Sequence, residues 1–365
     1  MRVVIAGGGT GGHLFPGLAV ARALRARVPQ SEISFAGTAA GIEARVIPKT
    51  EFGLDLIRSG GLKGKSPVHL IKGLLLLPLS ALDAWRLLTR RQADLVIGVG
   101  GYSSGPVVGM AVARGIPSLL MEQNALPGPT NRLLAPFVQS AAVTYESSLK
   151  VFGRKAFVSG NPVRQEFLDV AADPAADRAL NAARTRVLIF GGSQGAHAIN
   201  VAVVAAAPRL AAARASVDVV CQTGPRDFEM VREAFERHGV TGRVERFIDA
   251  MDREMKEAGL VVSRAGATTL AELTAAGRPS VLIPLPTAAD DHQRHNAEAL
   301  RRAGAAEVIV QKDLTGERLA DRILALAADR TTRLAMSAAA RRQAQPDAAR
   351  LIVDAALKLT GRRPA

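Results

Sequence analysis

The chain has 365 residues, of which 48% are hydrophobic and 22% charged, and its formal net charge is +14 at pH 7. This length exceeds one ordinary α/β core and the apolar content is too high for a disordered chain, so we expect two folded domains. The charge suits phosphorylated ligands or an anionic membrane surface, whereas an aromatic content of 4% and the lack of zinc-finger or RNA-binding motifs argue against nucleic acid.

Cys221 is the only cysteine, which excludes disulfides and cysteine-rich metal sites and indicates a reducing, cytosolic compartment. An apolar strand pattern begins at residue 2 without the charged leader and apolar core of a secretory signal, so we expect none. The longest apolar run, residues 73–82, is interrupted by Pro78 and falls well short of the roughly 20 residues that span a bilayer. We therefore expect no membrane-spanning segment.

Short β-rich runs alternate with longer helical patterns in the first half of the chain. The predicted strands cover residues 2–6, 32–37, 93–100, 117–122 and 140–144. Such alternation is typical of βαβ units in a parallel sheet that is buried on both faces. The first half is therefore predicted to form a doubly wound, Rossmann-like domain.

The pattern restarts at residue 186, where a strand, a glycine turn and a helix repeat the arrangement at residue 2. Further β-rich runs cover residues 217–224, 244–249, 258–266 and 279–286. Two Rossmann-like halves are the simplest interpretation. We expect an N-terminal domain over residues 1–163 and a C-terminal domain over residues 164–340, with the helical stretches from about residue 341 to 365 packing back onto the first domain.

The first glycine cluster, GGGTGGH at residues 7–13, follows a strand and precedes a helix, and Gly7, Gly9 and Gly12 match G-x-G-x-x-G. Glycine lets backbone approach an oxyanion closely, and a helix start offers N–H groups and partial positive charge, so we expect an anionic or hydroxyl-rich ligand. Further clusters follow strands at residues 98–106, 191–196 and 263–272. Because parallel strands bind ligands at their carboxyl ends, two clusters in each half predict a cleft between the domains.

Two other classes of function remain open at this point. A nicotinamide-dependent oxidoreductase needs an acid at the end of the second strand to hold the ribose, but Thr38 stands there and Glu43 comes several residues later, in a predicted helix. A non-catalytic basic binding module is the other alternative. His13 lies beside the glycine loop and is interpreted as a candidate catalytic residue rather than as a polar residue at a helix start.

The glycine clusters belong to a longer series of motifs. In chain order they are GGGTGGHLFPGLAVA, GGYSSGPVVGMA, EQNALPGPTN, GNPVR, GGSQGA, SRAGATTLAEL and DDHQRHNA. In order and approximate spacing this series resembles the MurG family of cell-wall glycosyltransferases, over residues 1 to about 360. The resemblance implies a GT-B fold, in which two Rossmann-like domains face a cleft.

The resemblance also implies the reaction. N-acetylglucosamine would pass from UDP-N-acetylglucosamine (UDP-GlcNAc) to the C4 hydroxyl of the muramoyl sugar of undecaprenyl-diphospho-muramoylpentapeptide (lipid I). The product would be lipid II, a precursor of peptidoglycan, formed with inversion at the anomeric carbon. No cofactor and no metal are expected.

The same resemblance implies which residues contact the diphosphate of the donor. Thr10, Gly11 and Gly12 would meet the donor sugar and the diphosphate, and Arg164 and Ser193 would lie near the diphosphate. Two helix starts and an arginine would together stabilise the departing UDP, since one helix end contributes at most about 2 kcal/mol.

The remaining donor contacts follow from the other motifs. Asn124 and Gln293 would bind the sugar, and Ile248 would hold the uracil. Glu272 would accept hydrogen bonds from the ribose hydroxyls, at the end of a loop and helix start that also contributes Ala267, Thr268, Thr269, Leu270 and Ala271.

Inversion in a single displacement requires a base for the attacking hydroxyl. His13 suits this role because imidazole titrates near pH 6.5, and Glu122 is the alternative base unless it only braces its turn. Asp290 and Asp291 are interpreted as loop caps rather than as Mg²⁺ ligands, because adjacent acids point to different sides and no third acid stands at a chelating spacing.

Residues 58–91 combine a leucine run and Trp85 with a basic surround. The basic residues are Arg58, Lys63, Lys65, Lys72, Arg86, Arg90 and Arg91, and the acid among them is Asp83. Each basic residue near an anionic leaflet contributes about 1 kcal/mol. We therefore predict peripheral binding to the cytoplasmic face of the inner membrane, with the alternative that Leu74 to Leu77 are ordinary core beneath the sheet.

Overall fold

The structure is a computed structural model that describes residues 1–60, 67–192, 194–288 and 291–361. It divides into two compact units, Met1–Arg164 with Gln345–Ala365, and Gln165–Ala344. Each unit is built on one parallel sheet with helices between the strands. The predicted α/β class with two Rossmann-like sheets is confirmed.

The first sheet has seven strands in the order β3-β2-β1-β4-β5-β6-β7. These strands are β1 (Arg2–Gly7), β2 (Glu32–Gly37), β3 (Gly53–Leu56), β4 (Leu95–Gly100), β5 (Ser118–Glu122), β6 (Ser140–Val143) and β7 (Ala156–Val158). Every residue of β4 and β5 is buried, as expected for central parallel strands covered on both faces.

Helices cover both faces of this sheet. They are α1 (Gly11–Arg27), α2 (Glu43–Val46), α3 (Pro67–Arg91), α4 (Ser104–Ala113), α5 (Pro129–Leu134), α6 (Leu149–Phe152) and the last helix of the chain, α16 (Ala348–Leu359). On one face, α1 and α16 pack against each other and bury Leu14 and Ile352 with Ile5. On the other face, α3 and α4 bury Leu88 and Val108.

The second sheet has six strands in the order β10-β9-β8-β11-β12-β13. These strands are β8 (Thr185–Phe190), β9 (Val217–Gln222), β10 (Gly242–Glu245), β11 (Leu260–Ser263), β12 (Ser280–Leu282) and β13 (Ala306–Val308). The helices of this unit are α7 (Gln165–Ala172), α8 (Pro174–Asn181), α9 (His197–Ala212), α10 (Phe228–His238), α11 (Met251–Glu257), α12 (Ala267–Ala275), α13 (His292–Arg302), α14 (Gly316–Ala328) and α15 (Arg330–Gln343).

The structure departs from the sequence-based elements mainly at sheet edges. The strands β3, β7 and β13 were not predicted, and the strand expected at 244–249 forms earlier, as β10. All three unpredicted strands have three or four residues, so their pairing partner rather than their own pattern defines them. Pro78 lies inside α3 and does not end it.

The end of the chain is shared between the units. The helix α15 packs on α12 and α8 of the second unit, whereas α16 packs on α1 of the first. The return to the first domain is therefore made by one helix. Among the helices in the described part of the chain, none combines the length and apolarity needed to cross a bilayer.

Candidate functional site

The glycine clusters lie at the topological switch point of each sheet. Strand order reverses between β1 and β4 in the first sheet and between β8 and β11 in the second. The four clusters predicted from the sequence follow these four strands. In open parallel sheets, ligands bind at the carboxyl ends of the strands beside the switch point. Each unit therefore carries its own candidate binding edge.

A buried carboxylate shapes the first glycine loop. Glu43 is fully buried, and its oxygens accept hydrogen bonds from the backbone N–H of Gly9 at 2.7 Å and of Thr38 at 2.8 Å. A Cβ on Gly8, which has a φ of +151°, would overlap the Glu43 carboxylate. The backbone can adopt this conformation here because glycine tolerates positive φ. Glu43 thus binds protein backbone, which argues against its holding a nicotinamide ribose.

The loop opens directly into α1. Thr10 is exposed, with an extended backbone at the N-cap position, and Gly11 and Gly12 are the first helical residues. Because α1 has 17 residues, its N-terminus carries the full partial positive charge of a helix end. The arrangement suits a bound phosphate or another oxyanion.

His13 occupies the first turn of α1 and faces the neighbouring cluster. Its Nδ1 lies 3.2 Å from Oε1 of Gln123, the residue that follows β5. A Cβ on Gly100 would lie 2.8 Å from the same nitrogen, so the glycine at the end of β4 makes room for the imidazole. The tertiary fold brings together residues of three separate motifs at this point.

Glu122 is saturated by donors from its own turn. One oxygen accepts from the backbone N–H of Asn124 at 3.0 Å and from its side-chain amide at 3.2 Å. The other accepts from the backbone N–H of Gly128 at 3.0 Å and from the side chain of Asn131 at 2.9 Å. This buried carboxylate braces the turn, so the geometry disfavours it as a base. The same bonds fix the position of Asn124.

Arg164 ends the first unit beside α1. Its guanidinium carbon lies 4.7 Å from the centre of the Phe15 ring, one turn along α1 from the glycine loop. A cation–π contact of this kind holds the charge of the arginine near the helix. Ser193, the other residue expected near the diphosphate, lies outside the described residues.

In the second unit, Gln222 joins two of the predicted donor-binding segments. Its side-chain Nε2 donates to the carbonyl of Gly192 at 2.9 Å, and its Oε1 accepts from the backbone N–H of Ile248 at 2.8 Å. Ile248 is 8% exposed. The glycine loop packs on the end of β9 so closely that a Cβ on Gly195 would overlap the carbonyl of Thr223.

The segment 267–272 forms the first turns of α12. Gly266 precedes it in an extended conformation, and Ala267, Thr268 and Glu272 are buried, whereas Thr269 and Ala271 are partly exposed. Leu270 is 1% exposed and belongs to the interior of the unit. The helix start therefore lies at the switch point as expected. Leu270 presents no side chain at the surface, and its backbone N–H donates to the carbonyl of Gly266 at 3.0 Å.

Gln293 holds the loop in front of its helix. Its Oε1 accepts from the backbone N–H of Leu285 at 3.0 Å. Asp291 precedes α13 and has a φ of +52°. Within the described residues of α13, no backbone N–H donates a hydrogen bond to the side chain of Asp291. Asp291 therefore does not cap α13 through its side chain. Asp290 lies outside the described residues.

The helix α3 exposes an apolar stripe. Leu79, Leu82 and Trp85, which recur every three residues, are 40%, 41% and 48% exposed, and Leu77 is 43% exposed. Leu76 is only partly exposed, and the side chains of Leu74 and Leu75 lie outside the described residues. Spacing of this kind places the three side chains along one side of the helix. We call Leu79, Leu82 and Trp85 the α3 stripe.

Several of the basic residues around the α3 stripe are engaged in ion pairs. Arg58 pairs with Asp83 at 2.6 Å, and Arg90 and Arg91 both pair with Asp55 at 2.7 and 2.8 Å. The surface around the α3 stripe is therefore less positive than the sequence indicated. Asp55, which pairs with two of the arginines, lies just before residues 58–91 and was not counted with them. Arg86 is exposed, whereas Lys63, Lys65 and the side chain of Lys72 lie outside the described residues.

Three polar residues of these sites were not assigned a structural role from the sequence. Gln123 contacts His13, Glu43 shapes the first loop, and Gln222 joins two segments of the second unit. Gln123 and Gln222 each follow or end a strand at the binding edge, and this position is the signal that points to them. Glu43 carries no such signal, because it lies in a separate helix.

Two family models match most of the chain, and curated relatives match nearly all of it. The glycosyltransferase family 28 N-terminal domain matches residues 3–143, and the glycosyltransferase family 28 C-terminal domain matches residues 186–352. A protein of Anaeromyxobacter dehalogenans strain 2CP-C, named UDP-N-acetylglucosamine–N-acetylmuramyl-(pentapeptide) pyrophosphoryl-undecaprenol N-acetylglucosamine transferase, is 46% identical over 100% of this chain and 94% of its own length.

Two further similarities agree with this match. A protein of the same name from Geobacter sulfurreducens is 45% identical over 97% of both chains. The crystal structure of Acinetobacter baumannii MurG superposes with a TM-score of 0.77 at 30% identity, covering 98% of this chain and 99% of that one. This likeness agrees with the GT-B fold that the seven sequence motifs implied.

Proposed function

The chain belongs to glycosyltransferase family 28, in its group of UDP-N-acetylglucosamine–N-acetylmuramyl-(pentapeptide) pyrophosphoryl-undecaprenol N-acetylglucosamine transferases, and from this premise we propose its reaction. It transfers N-acetylglucosamine from UDP-GlcNAc to the C4 hydroxyl of the muramoyl sugar of lipid I. The product is lipid II, a peptidoglycan precursor, formed with inversion at the anomeric carbon.

The observation that carries this proposal is the position of the glycine clusters. Each of the four glycine clusters follows a strand that flanks a switch point. In each sheet, one of these clusters leads into a long helix, α1 in the first unit and α9 in the second. Backbone N–H groups and the positive helix end bind the oxygens of a diphosphate without a preformed cation. A nucleotide sugar is the kind of ligand that this architecture accepts.

We assign the base to the first unit. His13 stands at the start of α1, and its ring is held against Gln123 and Gly100. The Nε2 atom of a neutral imidazole takes the proton of the attacking hydroxyl as that oxygen bonds to the anomeric carbon. The bond from this carbon to the diphosphate breaks in the same step, and UDP departs with the electron pair.

We assign the donor chiefly to the second unit. Ile248 holds the uracil, the segment 267–272 with Glu272 meets the ribose, and Gln293 contacts the sugar. Three observations support these roles: the bond that fixes the backbone of Ile248 through Gln222, the start of α12 at the switch point, and the anchoring of Gln293 to Leu285. From the first unit, Asn124 contacts the sugar.

Negative charge develops on the departing diphosphate. Each tenfold in rate requires about 1.4 kcal/mol of differential stabilisation, and one helix end supplies at most about 2 kcal/mol. We therefore propose that Thr10 to Gly12, Ser193 and Arg164 act together on the leaving group. The reaction then needs no divalent cation.

We also propose that the first unit binds the cytoplasmic face of the inner membrane. The exposed α3 stripe and the neighbouring Arg86 support this role, since apolar insertion combines with attraction to anionic lipids. The ion pairs of Arg58, Arg90 and Arg91 reduce the electrostatic part. Apolar contact therefore carries more of the binding than the charge count alone indicated.

A transfer assay with the purified full-length chain tests the reaction. Radiolabelled UDP-GlcNAc is incubated with a lipid-diphosphate muramoylpentapeptide acceptor, and UDP-glucose and UDP-N-acetylgalactosamine serve as control donors. We expect label transfer from UDP-GlcNAc alone, and the same rate with or without EDTA. Binding of UDP without transfer would support a binding module instead, and activity that EDTA abolishes and only Mg²⁺ restores would overturn the cation-free mechanism.

A further inference from the structure

The side chain of Gln123 is fixed at both ends of its amide. Gln123 is 2% exposed and directly follows β5. Its Nε2 donates to the main-chain carbonyl of Val99 in β4 at 3.0 Å, and its Oε1 lies 3.2 Å from Nδ1 of His13. Gln123 therefore contacts two residues that are distant from it in the sequence, Val99 in the neighbouring strand β4 and His13 at the start of α1.

The contact with Val99 determines which amide atom faces the histidine. A carbonyl oxygen only accepts hydrogen bonds, so the NH₂ group of Gln123 must face Val99. The opposite orientation would place the amide oxygen against the Val99 carbonyl oxygen in a buried site, so two acceptors would face each other and the bond from Gln123 to Val99 would be lost. The amide oxygen of Gln123 therefore faces the imidazole ring.

The orientation of Gln123 in turn selects the protonated ring nitrogen. An amide oxygen accepts but cannot donate, so Nδ1 of His13 has to carry the hydrogen that lies between them. In a neutral imidazole the second nitrogen, Nε2, then holds the lone pair. A histidine with the hydrogen on Nε2 would present a donor where a base needs an acceptor.

We propose that Gln123 is a positioning residue that holds His13 as the Nδ1–H tautomer, so that Nε2 accepts the proton of the attacking hydroxyl. This inference rests on the assignment of His13 as the base. As the proton arrives, the ring becomes an imidazolium and its Nδ1–H continues to donate to Gln123. The neutral amide thus orients the ring in both states without adding a negative charge beside it.

The tautomer is measured directly in the native protein. Long-range ¹⁵N–¹H correlation spectra of the ¹⁵N-histidine-labelled full chain distinguish which ring nitrogen carries the proton, and a His13→Ala sample identifies the signal of His13. We expect the Nδ1–H form to dominate at a pH where the ring is neutral. Dominance of the Nε2–H form would overturn the proposal, and this measurement requires no catalytic activity.

A double-mutant cycle tests the functional consequence. Gln123→Met keeps the size of the side chain and removes the acceptor, and we expect kcat to fall about tenfold or more with the KM for UDP-GlcNAc within about twofold. In a His13→Ala background the same change should cost less than about twofold, because no base is left to orient. An equal loss in both backgrounds would indicate a structural role and contradict the proposal.

A second glutamine supplies the control. Gln139 accepts hydrogen bonds from the backbone and hydroxyl of Ser118 at the opposite end of β5. Gln139→Met should leave kcat within about twofold, and a tenfold loss there would mean that kcat reports damage to β5 rather than to His13. If Gln123→Met fails to fold, the tautomer spectrum of the unaltered chain still decides the question. Absence of transfer by the unaltered chain would instead refute the proposed reaction.

Discussion

The carboxylate of Glu43 accepts a hydrogen bond from the backbone N–H of Gly9 at 2.7 Å, although 34 residues separate the two. Its other oxygen accepts from the backbone N–H and the hydroxyl of Thr38. A charged acceptor buried among these donors holds the loop after β1 to the loop after β2. The shape of the first glycine loop therefore depends on a residue outside its own motif.

Replacing Glu43 by glutamine should loosen that loop. The variant has one acceptor oxygen and an NH₂ group that faces a backbone N–H, so one of the two backbone donors loses its partner, at a cost of about 2 kcal/mol. We expect kcat/KM for UDP-GlcNAc to fall at least tenfold, measured by transfer kinetics. Glu32→Gln, an exposed carboxylate in the same unit, is the control. Unchanged kinetics of Glu43→Gln would contradict this role.

His13 and Glu122 should respond differently to substitution. His13→Ala removes the base and should lower kcat by about 100-fold or more, with loss of the acidic limb of the pH–rate profile. Glu122→Gln disturbs a braced turn and should reduce stability and kcat while the midpoint of that limb stays in place. The profiles are measured from pH 5 to 9. A limb that disappears in Glu122→Gln and persists in His13→Ala would reverse the assignment.

Gln222 should affect donor binding more than turnover. Gln222→Met removes the bonds to Gly192 and Ile248, so the glycine loop and the uracil segment are no longer joined. We expect the KM for UDP-GlcNAc to rise about tenfold, equivalent to 1.4 kcal/mol, while kcat changes less than about threefold. Calorimetric titration with UDP checks the binding separately. The exposed Gln343→Met is the control, and equal affinity of both variants for UDP would refute the prediction.

Membrane binding should depend on the α3 stripe. Leu79→Ser with Leu82→Ser removes two half-exposed apolar side chains, and we expect partitioning onto vesicles containing phosphatidylglycerol to fall about tenfold or more. Co-sedimentation measures the partitioning. Val201→Ser in the second unit, where the valine is 45% exposed, is the matched control. If the double variant binds like the unaltered chain while its circular dichroism is native, another surface makes the contact.

Asp55 should contribute stability that depends on pH. Burial disfavours the charged carboxyl, but hydrogen bonds and charge from Arg91 and Arg90 outweigh this and hold the pKa of Asp55 below its ordinary value of 3.8. Because the folded-state pKa is lowered, the stabilisation is complete above the ordinary pKa and is lost as pH falls through the lowered one. Asp55→Asn should therefore lower the free energy of unfolding by about 1–2 kcal/mol at pH 7, and by progressively less as the pH falls below 3.8.

The single tryptophan reports on this unit. Trp85 lies on α3, the helix that Arg90 and Arg91 attach to β3 through Asp55, so its fluorescence follows urea unfolding of the first unit. Asp347→Asn, which breaks an exposed pair with Arg350, should leave the unfolding free energy unchanged within the error of the measurement, because solvent screens this pair. A deficit in Asp55→Asn that persisted undiminished at low pH would show that the charge is not its source.

Local pattern was enough to predict much of this protein. Apolar runs such as residues 93–100 and 117–122 correspond to β4 and β5, and the glycine clusters fall at strand ends as expected. The physical reason is that a buried parallel strand must be apolar on both faces, and a chain that turns sharply beside a ligand requires glycine. These demands act on neighbouring residues, so they are visible in the sequence.

Tertiary structure decided which polar groups meet. The pairings of Glu43 with Gly9, Gln123 with His13 and Asp55 with Arg91 all depend on which strands lie side by side. The strands β3, β7 and β13 likewise exist because a neighbouring strand of the sheet offers a ladder of hydrogen bonds. A hydrogen bond requires its donor and acceptor to lie about 3 Å apart, and for residues far apart in the chain only the packed fold sets that distance.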